Sequence, residues 1–157
     1  MTQSTVTQTV SIWLQQISQA IGVELTLRED GHIELACSDK ATVTLEISEK
    51  YELVYFYADL LSLPKTSTDR EPFYRRALEL NGFNIATGAA SISLDPRRDT
   101  LTLTVMEKVS AMTADSFAST LNDFISLTLS LIENNVLLPE VNQTSQPVTD
   151  KFIRSLV

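Results

Sequence analysis

Apolar side chains fall at Val6, Val10, Trp13, Leu14, Ile17 and Ile21, in steps of three and four with one adjacent pair, and so form one stripe of a helix. Gly22 ends the stripe, because glycine takes the left-handed conformation after a helix at little cost. The period then drops to two. Leu25 and Leu27 alternate with Glu24, Thr26 and Arg28; Ile33, Leu35 and Cys37 with His32, Glu34 and Ala36; Val43, Leu45 and Ile47 with Thr42, Thr44 and Glu46. Glu29-Asp30-Gly31 and Ser38-Asp39-Lys40 are turns between these runs, which predicts antiparallel strands with one wet face. From Tyr51 to Leu61 both alternating sets are apolar: Val54, Phe56, Ala58 and Leu60 on one face, Leu53, Tyr55, Tyr57 and Leu61 on the other.

Pro64 closes that strand, and Thr68-Asp69-Arg70-Glu71 has the form of a capping box. Pro72 belongs in a first turn, so the helix starts at the box or one to three residues later. Phe73, Tyr74, Ala77, Leu78 and Leu80 make this short helix apolar round more than half its circumference, and Asn81-Gly82 stops it. Ala90, Ile92 and Leu94, then Leu101, Leu103 and Val105, predict two strands joined by Asp95-Pro96-Arg97-Arg98-Asp99. In the last helix Thr113 is the N-cap, Asp115 suits the first turn, and Phe117, Leu121, Phe124, Ile125, Leu129 and Ile132 face the core. The links between strands are too short for parallel crossovers. The class is therefore α+β: helix, three-strand antiparallel meander, short helix, two-strand hairpin, long C-terminal helix. The Leu25–Leu27 run adds a fourth meander strand if it pairs. Residues 1–138 form one domain, and 139–157, with its polar Gln143–Pro147 stretch, a tail.

The chain has 157 residues, 43% of them hydrophobic, which supports one shared core. Its net charge is -8, with the surplus concentrated before residue 65, while Arg70, Arg75, Arg76, Arg97 and Arg98 make the middle locally basic. Such a field disfavours nucleic acid and anionic membranes and favours basic or apolar partners. Cys37 is the only cysteine, so disulfides within the chain and multi-cysteine metal centres are excluded, and a reducing cytoplasm is the expected compartment. The start shows no signal-peptide pattern, and the apolar stretch from Phe124 to Ile132 is too short and too interrupted to span a bilayer.

Catalytic constellations are sparse. His32 is the sole histidine and lies at the wet end of a strand, where it reads as a surface residue. A Cys37–His32 dyad would have to bridge roughly 16 Å of extended strand. Glu29/Asp30 and Asp95/Asp99 sit at turns, where acids serve backbone hydrogen bonding. The four glycines are isolated, with no phosphate-binding loop, and the arginine pairs read as ion-paired surface. No catalytic residue, metal or cofactor is expected. What remains is surplus apolar surface: Leu53, Tyr55 and Tyr57 on a strand face that should be wet, and a helix apolar on several sides. Either another part of the chain or a partner covers them.

Leu60-Leu61-Ser62-Leu63-Pro64, Ala77-Leu78-Glu79-Leu80-Asn81-Gly82, Thr87-Gly88-Ala89 and Ile92-Ser93-Leu94-Asp95, in that order, resemble the class I type III secretion chaperones of Gram-negative bacteria, the Tir-chaperone-like family. The resemblance runs from about Ser4 to Val136. It departs in the longer tail and in Glu133-Asn134-Asn135, where a tryptophan is often found. It implies a non-enzymatic cytoplasmic homodimer that holds the N-terminal region of a secreted effector in extended form, and it adds the secretion-apparatus ATPase to the candidate partners. On this reading Val10, Trp13, Leu53, Tyr55 and Tyr57 face the effector, and Phe73, Tyr74, Ala77, Leu78 and Leu103 the second copy. A general interaction domain of the same shape, or a small-molecule enzyme using buried acids, are the alternatives.

Overall fold

The computed structural model describes residues 5–139. Helix α1 spans Val6–Ile21. Three strands follow, β1 (His32–Ala36), β2 (Thr42–Ser48) and β3 (Leu53–Ser62), then α2 (Ser67–Asn81), β4 (Ser91–Asp95), β5 (Thr100–Lys108) and α3 (Ala114–Glu133). The five strands make one antiparallel sheet in the order β1-β2-β3-β5-β4. The class and element order are those the residue pattern predicts.

Capping chemistry sets the helix ends. Thr5 and Thr113 each accept from the backbone of the residue three positions on, closing capping boxes with Gln8 and Ser116. Gly22 ends α1 at φ 72°, a left-handed position where a side chain would be strained. The Glu49 carboxylate, in the turn after β2, accepts from Thr7 N–H at 2.7 Å and Val6 N–H at 3.2 Å and so pins the start of α1 to the sheet.

One face of the sheet carries the core. Phe56 meets Phe117 and Phe124 of α3 at ring-centroid distances of 5.7 and 6.1 Å, and Trp13 of α1 stacks obliquely on Phe117 at 5.3 Å. Val43, Leu45, Val54, Leu101 and Leu103 fill the space around them. Removing a buried aromatic of this kind costs about 3–5 kcal/mol.

Three local expectations are corrected. Leu25 and Leu27 do pack on the core, but they join no ladder. The Ser18 hydroxyl donates to Val23 O at 2.5 Å and accepts from Leu25 N–H at 3.2 Å, which ties this segment to α1 instead of to β1. Helix α2 begins at Ser67 with Thr66 as N-cap, earlier than the Thr68 box, so Pro72 lies in the second turn. There the side chains of Thr66 and Asp69 hydrogen-bond, and Arg70 joins Pro64 O and Asp99, fixing the helix start without a capping box. On α3, Thr128 and Leu131 are buried where Leu129 and Ile132 were expected, because the Thr128 hydroxyl donates to Phe124 O at 2.8 Å and needs no water.

Candidate protein-binding surfaces

The expected effector site is divided by the sheet. Leu53, Tyr55 and Tyr57 are half-buried on the face away from α1 and α3, since their neighbours Val54, Phe56 and Ala58 point into the core. Val10 is 0% exposed and Trp13 is packed against Phe117, both on the inner side. Val10 therefore belongs to the core and offers no surface, and Trp13 does not flank the tyrosines. The register instead adds Met106, opposite Tyr55 and 60% exposed. Glu46 faces Tyr55 from β2, and the Tyr57 hydroxyl donates to Glu46 at 3.4 Å. Burial and the Glu46 charge push the Tyr57 phenol above its ordinary value. The result is an apolar, aromatic strip with an acidic rim.

The expected dimer residues also separate. Leu103 is 0% exposed in the middle of the sheet, and Ala77 is buried under α2, so both hold the subunit together. Phe73 and Tyr74 are half-buried, whereas Leu78 is 71% exposed. Phe83 and Ile85, just past the end of α2, are 98% and 72% exposed. These two lie beyond the Asn81-Gly82 stop, outside the helical period; their signal in the sequence is two large apolar residues in a short connecting loop.

A groove of about 390 Å³ opens between the 86–90 loop, the end of β5 and α3. Its walls include Val105, Phe124 and Leu127, with Glu107, Thr120 and Asp123 among the polar lining.

The few groups with chemical potential do not converge. His32 bonds Asp30 through Nδ1 at 2.7 Å and lies 2.9 Å from an Arg28 nitrogen through Nε2. Cys37 follows β1 on the core side, in phase with Ile33 and Leu35, and burial raises its thiol pKa, so the two side chains take opposite faces. Arg98 is held by Asp59 and Asp95, and Arg70 by Asp99 at 2.9 and 3.0 Å, which makes them structural ion pairs. Among the described residues, no three His, Cys, Asp or Glu side chains are grouped to hold a metal ion, and no helix is long and apolar enough to cross a membrane.

An α+β fold with two exposed apolar surfaces has the form of a protein-binding module. Residues 13–131 match the Tir chaperone protein (CesT) family, and the chain belongs to that family. No sequence among the curated proteins matches it. Among solved structures it is similar to a chain of the ExsC–ExsE complex, with 20% identity, TM-score 0.67, and 87% of this chain and 98% of that one covered. A chain of the ExoU–SpcU heterodimer from the type III secretion system of Pseudomonas aeruginosa gives 18% identity and TM-score 0.57, with coverage of 85% and 99%. A chain of the Yersinia pestis type III secretion chaperone SycH with a fragment of YscM2 gives 20% and 0.54, with coverage of 77% and 98%. At these identities the likeness is one of fold.

Proposed function

We propose that this protein is a cytoplasmic, non-enzymatic chaperone that binds the N-terminal region of a type III secreted effector and keeps it soluble and competent for export. The family match over residues 13–131 carries the reading. It is supported by the folds it resembles, one solved as a type III secretion chaperone with a fragment of a second protein and one as a heterodimer from a type III secretion system. The strip of Leu53, Tyr55, Tyr57 and Met106 supplies the contact area, since tyrosine buries a large ring while its hydroxyl tolerates a wet rim. The acidic rim speeds association with basic segments more than it tightens the complex.

The protein acts as a homodimer in this reading. Leu78, Phe83 and Ile85 form the apolar surface that the second copy covers, with Phe73 and Tyr74 behind them. The ATPase of the secretion apparatus is a further partner, met when the effector is handed over. Purification from the native cytoplasm, followed by mass spectrometry, tests the reading: a secreted protein should accompany the chain in stoichiometric amount, and its absence under secretion-inducing conditions contradicts the assignment.

A further inference from the structure

The groove beside β5 combines three features. The first is an open strand edge. The Asn81 side chain donates to Ile92 O and accepts from Ile92 N–H, both at 2.8 Å, so the backbone of Ile92 faces away from β5. In an antiparallel ladder the backbone direction alternates along each strand, so Thr102 and Thr104 face β4, and so does Met106 two residues on. The ladder ends at Ser91 opposite Thr104, leaving the Met106 backbone groups turned toward a place β4 does not reach. The second feature is an apolar floor of Phe124 and Leu127 with the carboxylates of Glu107 and Asp123 in the same lining. The third is Thr87, which lines the groove with its side chain 1% exposed and its hydroxyl without a hydrogen-bond partner. A buried hydroxyl left unpaired is costly, and its place is in a site that receives a donor.

Two acids, an unpaired acceptor and an apolar floor together fit one kind of side chain: a long aliphatic stem ending in a cation. We propose that an extended segment of the effector lies along the open edge of β5 at Met106 and inserts an arginine or lysine into this groove. The stem packs on Phe124 and Leu127, and the charge is held by Glu107 and Asp123. The inference rests on the effector-binding reading and names a second, basic-selective contact on the opposite side of the sheet from the tyrosines. The surplus of acidic over basic residues in the chain attracts such a segment from a distance.

The test uses the full chain and two labelled peptides of alternating valine and arginine, one with citrulline in place of every arginine. Citrulline keeps the shape and removes the charge. The arginine peptide should bind at least about tenfold more tightly by fluorescence anisotropy, and should shift the amide resonances of Thr87 and Asp123. Glu107→Gln with Asp123→Asn should abolish the preference, while Glu29→Gln with Asp39→Asn, which changes net charge equally at exposed positions outside both surfaces, should retain it. Equal affinity for both peptides, or a preference that survives in the Glu107/Asp123 variant, overturns the proposal. Co-expression with a secreted protein separates the two readings. An effector that accompanies the Glu107/Asp123 variant undiminished leaves the chaperone assignment standing and removes the groove. If no effector accompanies even the unaltered chain, the chaperone assignment falls, and the peptide result still decides the groove.

Discussion

The Asn81 side-chain amide occupies both outward-facing backbone groups of Ile92, at 2.8 Å each, and so closes the edge strand β4 with the last residue of α2. An unpaired edge strand invites pairing with another chain, and a single amide blocks it here at the second of its five residues. It also fastens α2 to the sheet.

Asn81→Ala should therefore do two things. Leaving the two partly buried backbone groups of Ile92 unpaired should cost about 2 kcal/mol, read as a lower urea midpoint with unchanged slope. The freed edge should also raise concentration-dependent association, seen by light scattering. An unchanged midpoint would show that the amide closes nothing of consequence.

A second expectation concerns acid. The Glu49 carboxyl is held below the ordinary glutamate value, chiefly by its bond to Thr7, with Val6 N–H adding to it. Because the folded value is the lower one, this contact stabilises the protein fully above the unfolded value and is lost as pH falls through the folded one. The melting temperatures of the unaltered chain and Glu49→Gln should differ near neutral pH and converge as pH drops below about 4. A constant gap across that range would contradict the assignment of the effect to the carboxylate charge.

The outer strip gives a third. Tyr55 and Tyr57 lie on the side of the sheet away from α1 and α3, so replacing both by alanine removes cross-strand contacts worth about 1 kcal/mol or less apiece and opens no core cavity. Calorimetry should show a modestly lowered melting temperature, while pull-down with the effector's N-terminal region should fall sharply. A collapse in melting temperature, or undiminished binding, removes the strip as the effector site.

Much of this architecture was legible in the periodicities, because helix α1, strands β2 and β3 and helix α3 each bury one face. The failures have local causes. The Leu25–Leu27 run alternates like a strand, yet one hydroxyl, that of Ser18, diverts its backbone. The site residues were harder to read, since period two assigns a side chain to a face without saying which face the helices cover. Apolarity at Val10 and Leu103 does not by itself tell a partner-facing surface from a core, and the fold uses both as core. Met106 was readable from its alternation with Thr102 and Thr104, but only pairing with Tyr55 makes it part of a surface.

The proposed dimer surface yields a fourth expectation, which separates packing from association. Leu78→Arg and Phe83→Ser alter exposed side chains and should leave the monomer folded by circular dichroism while halving the mass measured by light scattering. Ala77→Arg should instead unfold the subunit, because that side chain is already buried within it and a charge there has no partner. A dimer that persists in the Leu78/Phe83 double variant would place the interface elsewhere.

The most direct measurement of the central claim is co-expression of this chain with the secreted protein that accompanies it from the native cytoplasm, followed by size-exclusion chromatography with in-line light scattering. The account predicts a stable complex whose mass includes two copies of this chain. It further predicts that deleting the effector's N-terminal region abolishes the complex, and that Tyr55→Ala with Tyr57→Ala weakens it. Separate elution of the two proteins, or a complex that survives loss of the effector's N-terminal region, would contradict it.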